Sequence, residues 1–244
     1  MFPLRDDIPR RYTPYAARAI VAINALFFLY ELGLDQQALN RLFYLLGVVP
    51  ARYFHPDWAQ WMGFPEAGVL PFFAHMFLHS GLLHFVANMW ILWVFADNVE
   101  DVMGPVRFFI FYLLCGLAAL AGHVVFNTDS TVPVVGASGA IAGVMGAYLL
   151  LYPRAKVLTL IPIFIFPFFV VLPAITFLGL WFAIQIFSGL FSLAGSQGGG
   201  GVAWWAHAAG FVAGMLFIPL FRDDKRCSWC YKDTDQNSDS FRFH

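Results

Sequence analysis

The chain has 244 residues, of which 60% are hydrophobic and 12% charged, and its formal net charge is −1. Soluble domains carry about 25% charged residues, so this composition excludes an ordinary soluble enzyme and a disordered protein. The near-zero net charge provides no basic surface for DNA or RNA, and no nucleic-acid partner is expected. The composition predicts an all-α protein of the lipid bilayer.

A helix needs about 20 apolar residues to cross a bilayer, and six segments meet or approach that length. In chain order the predicted spans are 16–34, 82–99, 106–125, 136–152, 173–193 and 202–221. The stretch 157–201 has no charged residue and is long enough for two helices. Its first half contains Pro162, Pro167 and Pro173, so an irregular interfacial stretch followed by one helix is predicted there.

The positive charges predict the orientation of these spans. With six spans, Arg41 and Arg52 lie on one side of the membrane and the other Lys and Arg residues on the opposite side. The positive-inside rule makes the second side cytoplasmic, so both termini are predicted to be cytoplasmic. The minimal six-span layout favours a bacterial cell (inner) membrane, with a multi-pass chain and no cleaved signal peptide.

This orientation divides the chain into three parts. The parts are a cytoplasmic tail (1–15), a six-span domain (16–222) and a short polar cytoplasmic tail (223–244). The outer segment 35–81 contains Tyr53, Trp58 and Trp61, and it is predicted to lie on the membrane surface.

Polar residues within spans are costly and are therefore candidates for function. His84 and Asn88 lie four residues apart, on one face of the second span. The second, fourth and sixth spans run in the same direction, and His84, Ser138 and His207 each follow the start of their span closely. At 1.5 Å per residue, all three lie one or two helical turns below the outer surface. The sequence thus predicts that they converge at one depth.

Small residues provide a way to bring these spans together. Glycines recur along the fourth span at Gly136, Gly139, Gly143 and Gly146, and along the sixth span at Gly210 and Gly214. Such spacing allows helix backbones to approach closely. If these two faces meet, Ser138 and His207 come within hydrogen-bond reach.

A serine beside a histidine is a nucleophile beside its base. His207 would take the Ser138 proton and later give it to the leaving amine. The Ser138 backbone N–H, at the start of a helix, could stabilise an oxyanion together with His84 and Asn88. Asp97 and Asp129 lie at other depths, so the pattern favours a Ser–His dyad over a triad.

Four motifs together resemble the rhomboid family of intramembrane serine proteases. They are HMFLHSGLLHFVAN, DNVEDVMG, GASGA and AHAAGFVAG, and the resemblance extends over about 72–221. It implies a six-helix bundle with Ser138 as nucleophile, His207 as base, and His84, Asn88 and the Ser138 N–H as oxyanion donors. The implied substrates are single-span membrane proteins, cut near the outer membrane face.

The resemblance also implies roles for flanking positions. His75 and His79 match positions that are structural or line a water-filled cavity, and the loop 195–201 matches a mobile cap. The fifth span matches the element beside the lateral route for substrate. Two features depart from the family. Trp58 and Trp61 have no adjacent arginine, and Ala142 stands where some relatives have a tyrosine that stacks on the histidine.

Other interpretations remain beside the protease. A catalytically inactive rhomboid-like factor could bind membrane proteins for quality control, and a small transporter or channel could use the same polar residues. No cofactor and no metal are expected, because His75 and His79 have no carboxylate partner and Cys227 with Cys230 supplies only two of about four zinc ligands. The oligomeric state is not predicted.

Overall fold

The computed structural model describes residues 1–66, 68–163, 166–194 and 203–226. The helices are α1 (Tyr15–Leu32), α2 (Gln36–Leu46), α3 (Pro50–Phe54), α4 (Pro56–Trp61), α5 (Pro71–Ala74), α6 (Leu82–Met103), α7 (Pro105–Val125), α8 (Ser138–Leu151), α9 (Ala174–Ala194) and α10 (Trp204–Phe221). A 3₁₀ turn, His75–Phe77, follows α5. The strands are β1 (Phe2–Arg5), β2 (Lys156–Ile163) and β3 (Phe166–Pro173).

Within the described residues, five helices are long and apolar enough to cross a membrane: α1, α6, α7, α9 and α10. They correspond to five of the six predicted spans. The remaining predicted span is α8, which has only 14 residues. At 1.5 Å per residue it is about 21 Å long, shorter than the roughly 30 Å hydrocarbon core. The molecule is a mostly helical membrane bundle with one short internal helix.

The helix α8 is the innermost element of this bundle. Eleven of its 14 residues are buried, and its glycine face packs directly on the backbone of α10. A methyl group on Gly214 would overlap the carbonyl oxygen of Gly143, and one on Gly210 would overlap that of Gly139. Gly146 has the same relation to the Phe211 carbonyl oxygen. Only glycine fits at these positions, because the backbones of two helices are in direct contact there.

The all-α prediction is wrong in one region, because the described chain contains a three-stranded antiparallel sheet in the order β1-β2-β3. The prolines that suggested an irregular stretch lie within the strands, and Pro162 faces Pro167 near the far end of the β2–β3 pair. Apart from the prolines, the residues of β2 and β3 are mainly β-branched and aromatic, which favours strands. Hydrophobicity alone did not separate this hairpin from a broken helix.

The N-terminal segment, predicted as a tail, packs against the end of the bundle at which α8 finishes, which we name the Tyr148 end. Both carboxylate oxygens of Glu100 accept hydrogen bonds from the first turn of α1, at the N–H groups of Ala16 (3.0 Å) and Ala17 (2.8 Å). Asp101 accepts from the N–H groups of Arg11 (2.6 Å) and Tyr12 (3.0 Å). The DNVEDVMG stretch therefore anchors the N-terminal segment.

A buried polar contact lies beside this anchor. Asp6 accepts hydrogen bonds from Tyr148 Oη and from Nδ2 of Asn98, the latter at 2.7 Å. Burial raises the pKa of Asp6 to about 7, against the opposing effect of the Tyr148 hydrogen bond. Asp6 thus joins α6 and α8 at the Tyr148 end.

The C-terminal residues of the described chain reach the same end. Asp223 N–H donates to the Val102 carbonyl at 2.8 Å, and the Arg226 guanidinium lies 4.3 Å from the centroid of the Tyr12 ring. The predicted tail 223–244 is described only as far as residue 226, so Cys227 and Cys230 lie outside the described residues. The predicted cap, 195–201, lies outside them as well.

The predicted surface segment 35–81 contains four short helices, α2 to α5, rather than a plain loop. It is tied to the chain that precedes α8 by an antiparallel bridge between Val48 and Val134. The Gly136 N–H also donates to the His75 carbonyl at 2.8 Å. These contacts hold the segment against the opposite end of the bundle, which we name the Ser138 end.

Candidate active site

Ser138 is the first residue of α8, and His207 lies in the first turn of α10. The backbone contact between the two glycine faces brings both residues to the Ser138 end. His207 Nε2 lies 2.8 Å from Ser138 Oγ, which is hydrogen-bond distance. Both side chains are half-buried, so they are sheltered by the bundle and still reachable. The pair has the geometry of a nucleophile and its general base.

A third residue, Gln185 of α9, completes the contacts of the His207 ring. Its Oε1 atom lies 2.9 Å from His207 Nδ1, and its side chain is 5% exposed. The Trp181 ring lies beside the same imidazole, with 5.9 Å between ring centroids. Ala142 is fully buried and carries no ring, so α9 supplies the groups that hold the imidazole.

Sequence reasoning missed Gln185, although a signal was available. The residue is the one amide in the helix AITFLGLWFAIQIFSGLFSLA, and polar groups within membrane helices are candidates for function. The pattern did not indicate which face of α9 meets α10. Its position became informative only with the packing of the two helices known.

His84 and Gly136 form the second part of the site. The His84 Nδ1 atom lies 3.4 Å from the Ser80 backbone nitrogen and 3.0 Å from Ser80 Oγ. Because a backbone N–H can only donate, Nδ1 accepts and the ring proton lies on Nε2. Gly136 has φ of +126° and lies against this edge of the ring. His84 therefore offers an Nε2–H donor near the nucleophile.

Two further donors belong to this region. Asn88 is 5% exposed, and its Nδ2 atom has no hydrogen-bond partner within the described parts of the chain. The opening N–H groups of α8, beginning with Ser138, have no partner inside the helix. The predicted oxyanion residues thus supply one imidazole, one amide and one backbone donor. A buried amide without a partner is costly unless another group uses it.

His75 and His79 lie beside the site without touching the nucleophile through a hydrogen bond. His75 Nδ1 contacts the Pro71 carbonyl at 3.1 Å, and burial lowers its pKa to about 4. The His79 N–H donates to both carboxylate oxygens of Glu31, at 3.1 and 3.2 Å. The His79 ring lies 5.3 Å from the His84 ring, between centroids. Both residues fit structural support of the turn before α6.

The remaining predicted residues belong to the packing of the site. Gly139 lies against Ala119 of α7 and leaves no space for a methyl group, while Gly210 and Gly214 meet the α8 backbone. Across the described residues, no cluster of three His, Cys, Asp or Glu side chains is arranged to hold a metal ion.

The family model of the Rhomboid domain matches residues 66–223 of the chain. The chain belongs to the rhomboid family. The match includes every element that carries a residue of the candidate site, from the turn with His75 to the end of α10. Family membership agrees with the resemblance noted in the sequence motifs.

Relatives of this rhomboid occur in animals and fungi. It is 33% identical over 100 residues to presenilin-associated rhomboid-like protein A, mitochondrial, of Danio rerio, covering 40% of the chain and 26% of that protein. It is 29% identical over 150 residues to rhomboid protein 1, mitochondrial, of Saccharomyces cerevisiae, covering 58% and 38%. The mouse presenilin-associated rhomboid-like protein, mitochondrial, is 31% identical over 140 residues, covering 53% and 35%. These matches span only about a quarter to two fifths of the relatives' own lengths.

The names of these relatives contradict the predicted bacterial cell membrane, because all three are described as mitochondrial. The prediction is wrong because it rested on the six-span layout, and a number of spans carries no information about which membrane holds them. The positive charges distinguish only the two sides of a membrane. The description of both termini as cytoplasmic is withdrawn with it.

Proposed function

We propose that this rhomboid is an intramembrane serine endopeptidase that acts through Ser138 and His207. The observation that carries the proposal is the 2.8 Å contact between His207 Nε2 and Ser138 Oγ at the end of a short internal helix. A water-soluble substrate would not need a nucleophile at this depth. The proposed substrates are single-span membrane proteins, cut near the face of the bilayer at which the Ser138 end lies.

The first half of the proposed reaction forms an acyl-enzyme. His207 Nε2 takes the proton of Ser138 as Oγ attacks the carbonyl carbon of the scissile peptide, and the carbonyl π electrons move to its oxygen. The N–H of Ser138, the Nε2–H of His84 and the amide of Asn88 would stabilise that oxyanion. One such donor is typically worth about 3–4 kcal/mol of transition-state stabilisation.

The intermediate then collapses. The C–N bond breaks, and the imidazolium of His207 gives its proton to the leaving nitrogen, so that the new amino terminus departs neutral. In the second half, His207 takes a proton from water, hydroxide adds to the ester carbonyl, and Ser138 Oγ leaves with that proton. The enzyme returns to its starting state without a cofactor.

The proposed topology has six crossings, made by the five long helices and the short helix α8. The N-terminal segment and residues 222–226 contact each other at the Tyr148 end, which fits an even number of crossings. Residues 16–222 would form the catalytic domain. Because α8 is about 21 Å long, Ser138 would lie below the bilayer surface, within reach of water only through the polar region around His79 and His84.

Purified protein in detergent tests the proposal with a fluorophosphonate probe and a generic single-span substrate. Ser138→Ala and His207→Ala should each abolish both labelling and cleavage while the melting temperature stays near that of the wild type. Ser130→Ala and His55→Ala, at residues outside the site, should retain both. A folded wild type that neither reacts nor cleaves would instead support an inactive rhomboid-like binding factor.

A further inference from the structure

We propose that Gln185 is the positioning residue of His207: it fixes the ring proton on Nδ1 and so leaves Nε2 free to accept the Ser138 proton. The inference rests on the proposed protease function and adds a residue of α9 to that site. A base that must accept a proton at Nε2 is useful only in the tautomer with the proton on Nδ1.

The hydrogen bonds around Gln185 determine which of its atoms faces the histidine. Gln185 Nε2 lies 3.2 Å from the backbone carbonyl oxygen of Trp181, which can only accept. The nitrogen must therefore donate to Trp181, and Oε1 is the atom at 2.9 Å from His207 Nδ1. Since an amide oxygen can only accept, Nδ1 must carry the proton. The unprotonated Nε2 then accepts from Ser138 Oγ at 2.8 Å.

Ser138, His207 and Gln185 are arranged as in a catalytic triad, with a neutral amide in place of the carboxylate. A carboxylate at this position would stabilise the imidazolium more strongly, and it would also have to be ionised inside a membrane protein, at a large desolvation cost. An amide provides orientation and tautomer without that cost. Gln185 is 5% exposed, so water does not compete for the contact.

Groups from several elements determine how His207 titrates. Ser138 of α8 and Gln185 of α9 contact the ring through hydrogen bonds, and the Trp181 ring packs beside it. His84 of α6 and His123 of α7 are the other titratable groups that act on the ring. All of these groups except Gln185 stay unchanged in a Gln185 variant, so a change in the pH profile is attributable to this one residue.

The hydrogen bond between His207 and Gln185 also makes the orientation of the base depend on the position of α9. Of the five long helices, α9 has the smallest buried share, 28%. The side chain that orients His207 is therefore held by the helix that the rest of the bundle covers least. A shift of α9 would release Nδ1 before it disturbed the packing of α8 on α10.

The experiment compares the full chain with Gln185→Leu, Gln185→Glu and, as a control, Ile184→Val, a lipid-exposed neighbour on α9. Cleavage and probe labelling are measured from pH 5 to 9. Gln185→Leu should lower kcat about 10- to 100-fold with KM within about twofold, a part of what a general base contributes. Gln185→Glu keeps an acceptor on Nδ1, so it should restore most of kcat. It should also move the acidic limb of the profile upward by about one pH unit.

A second measurement reads the tautomer without activity. The ¹⁵N shifts of the His207 imidazole, assigned by comparison with His207→Ala, should show a protonated Nδ1 in wild type and a mixture of tautomers in Gln185→Leu. A wild type that shows this tautomer and does not cleave would contradict the proposed protease function and leave the role of Gln185 in fixing the tautomer intact.

Two results would overturn the inference. One is a folded Gln185→Leu with wild-type kcat and tautomer. The other, which decides the matter if the leucine variant does not fold, is a wild type whose His207 imidazole carries its proton on Nε2 and not on Nδ1.

Discussion

Gly136 and His84 are packed so closely that a methyl group on Gly136 would lie 2.7 Å from Cε1 and 2.9 Å from Nε2 of the His84 ring. The same glycine has a positive φ of +126°, which L side chains rarely adopt. The residue two before the nucleophile is thus constrained by its backbone and by the imidazole it faces.

Gly136→Ala should therefore abolish or strongly reduce cleavage, because His84 must move away from the oxyanion position. Gly63→Ala is a matched control, since Gly63 also has a positive φ (75°) and has nothing within 4 Å of an added methyl group. Both variants should lose about 1–2 kcal/mol of stability from backbone strain. Only the first should lose kcat, measured with the single-span substrate. Equal activity in the two variants would contradict the role of the His84 contact.

The contact between α8 and α10 leads to a prediction on stability. Gly214→Ala places a methyl group on the Gly143 carbonyl oxygen, so the two backbones must separate. We expect a loss of about 1–3 kcal/mol, as in overpacked cores, with a fall in activity as Ser138 and His207 move apart. Melting in detergent measures the loss of stability, and probe labelling measures the fall in activity. Gly179→Ala, in α9 with open space around it, should be neutral or slightly stabilising.

Ser80 is predicted to act through His84. Ser80→Ala removes the Oγ contact that helps to keep the His84 proton on Nε2, and kcat should fall about tenfold, less than the 10²–10³ for a lost oxyanion donor. His84→Ala should show that larger loss. In the His84→Ala background, Ser80→Ala should have no further effect, since the two residues belong to one interaction. Additive losses in the double variant would show that Ser80 acts elsewhere.

Asp6 makes stability depend on pH in a predictable direction. Its pKa is raised from 3.8 to about 7 in the folded protein, so the folded state holds a proton that the unfolded state releases. Stability should therefore fall as pH rises from about 4 to about 7 and level off above that. A rise of about three pKa units corresponds to a contribution of about 4 kcal/mol.

Asp6→Asn should remove this part of the pH dependence, and melting temperatures in detergent between pH 5 and 8 measure it. Asp57→Asn, at an exposed carboxylate of α4 far from Asp6, should leave the slope as in the wild type. Parallel slopes in wild type and Asp6→Asn would mean that another group carries the pH dependence.

The long helices could be predicted because bilayer length and apolar composition leave few alternatives. The prediction that Ser138, His84 and His207 lie near one another also came from the sequence, since each lies within a few residues of the start of its span. The sheet could not be predicted in this way. The residues of β2 and β3 are as apolar as those of a membrane helix, and their partner strand β1 lies at the other end of the chain.

Gln185 shows a second limit. A single amide in an apolar helix marks a helix as important, but the side chain it meets depends on the rotation of α9 against α10. That rotation is determined by packing between distant residues and has no local signature. The same applies to Asp6, whose partners Asn98 and Tyr148 lie on two different helices, far from it in the chain.

The sheet at the Tyr148 end also determines the order in which the molecule can be completed. Arg5 pairs with Leu158, so β1 emerges from the ribosome about 150 residues before its partner strand. At 5–20 residues per second that interval is roughly 8 to 30 s. During that time the first strand lacks its partner strand. The Trp90 indole N–H, which donates to the Pro3 carbonyl at 2.6 Å, can hold it before then. A premature partner for β1, such as another nascent chain, would leave α8 without its closing contact at Asp6.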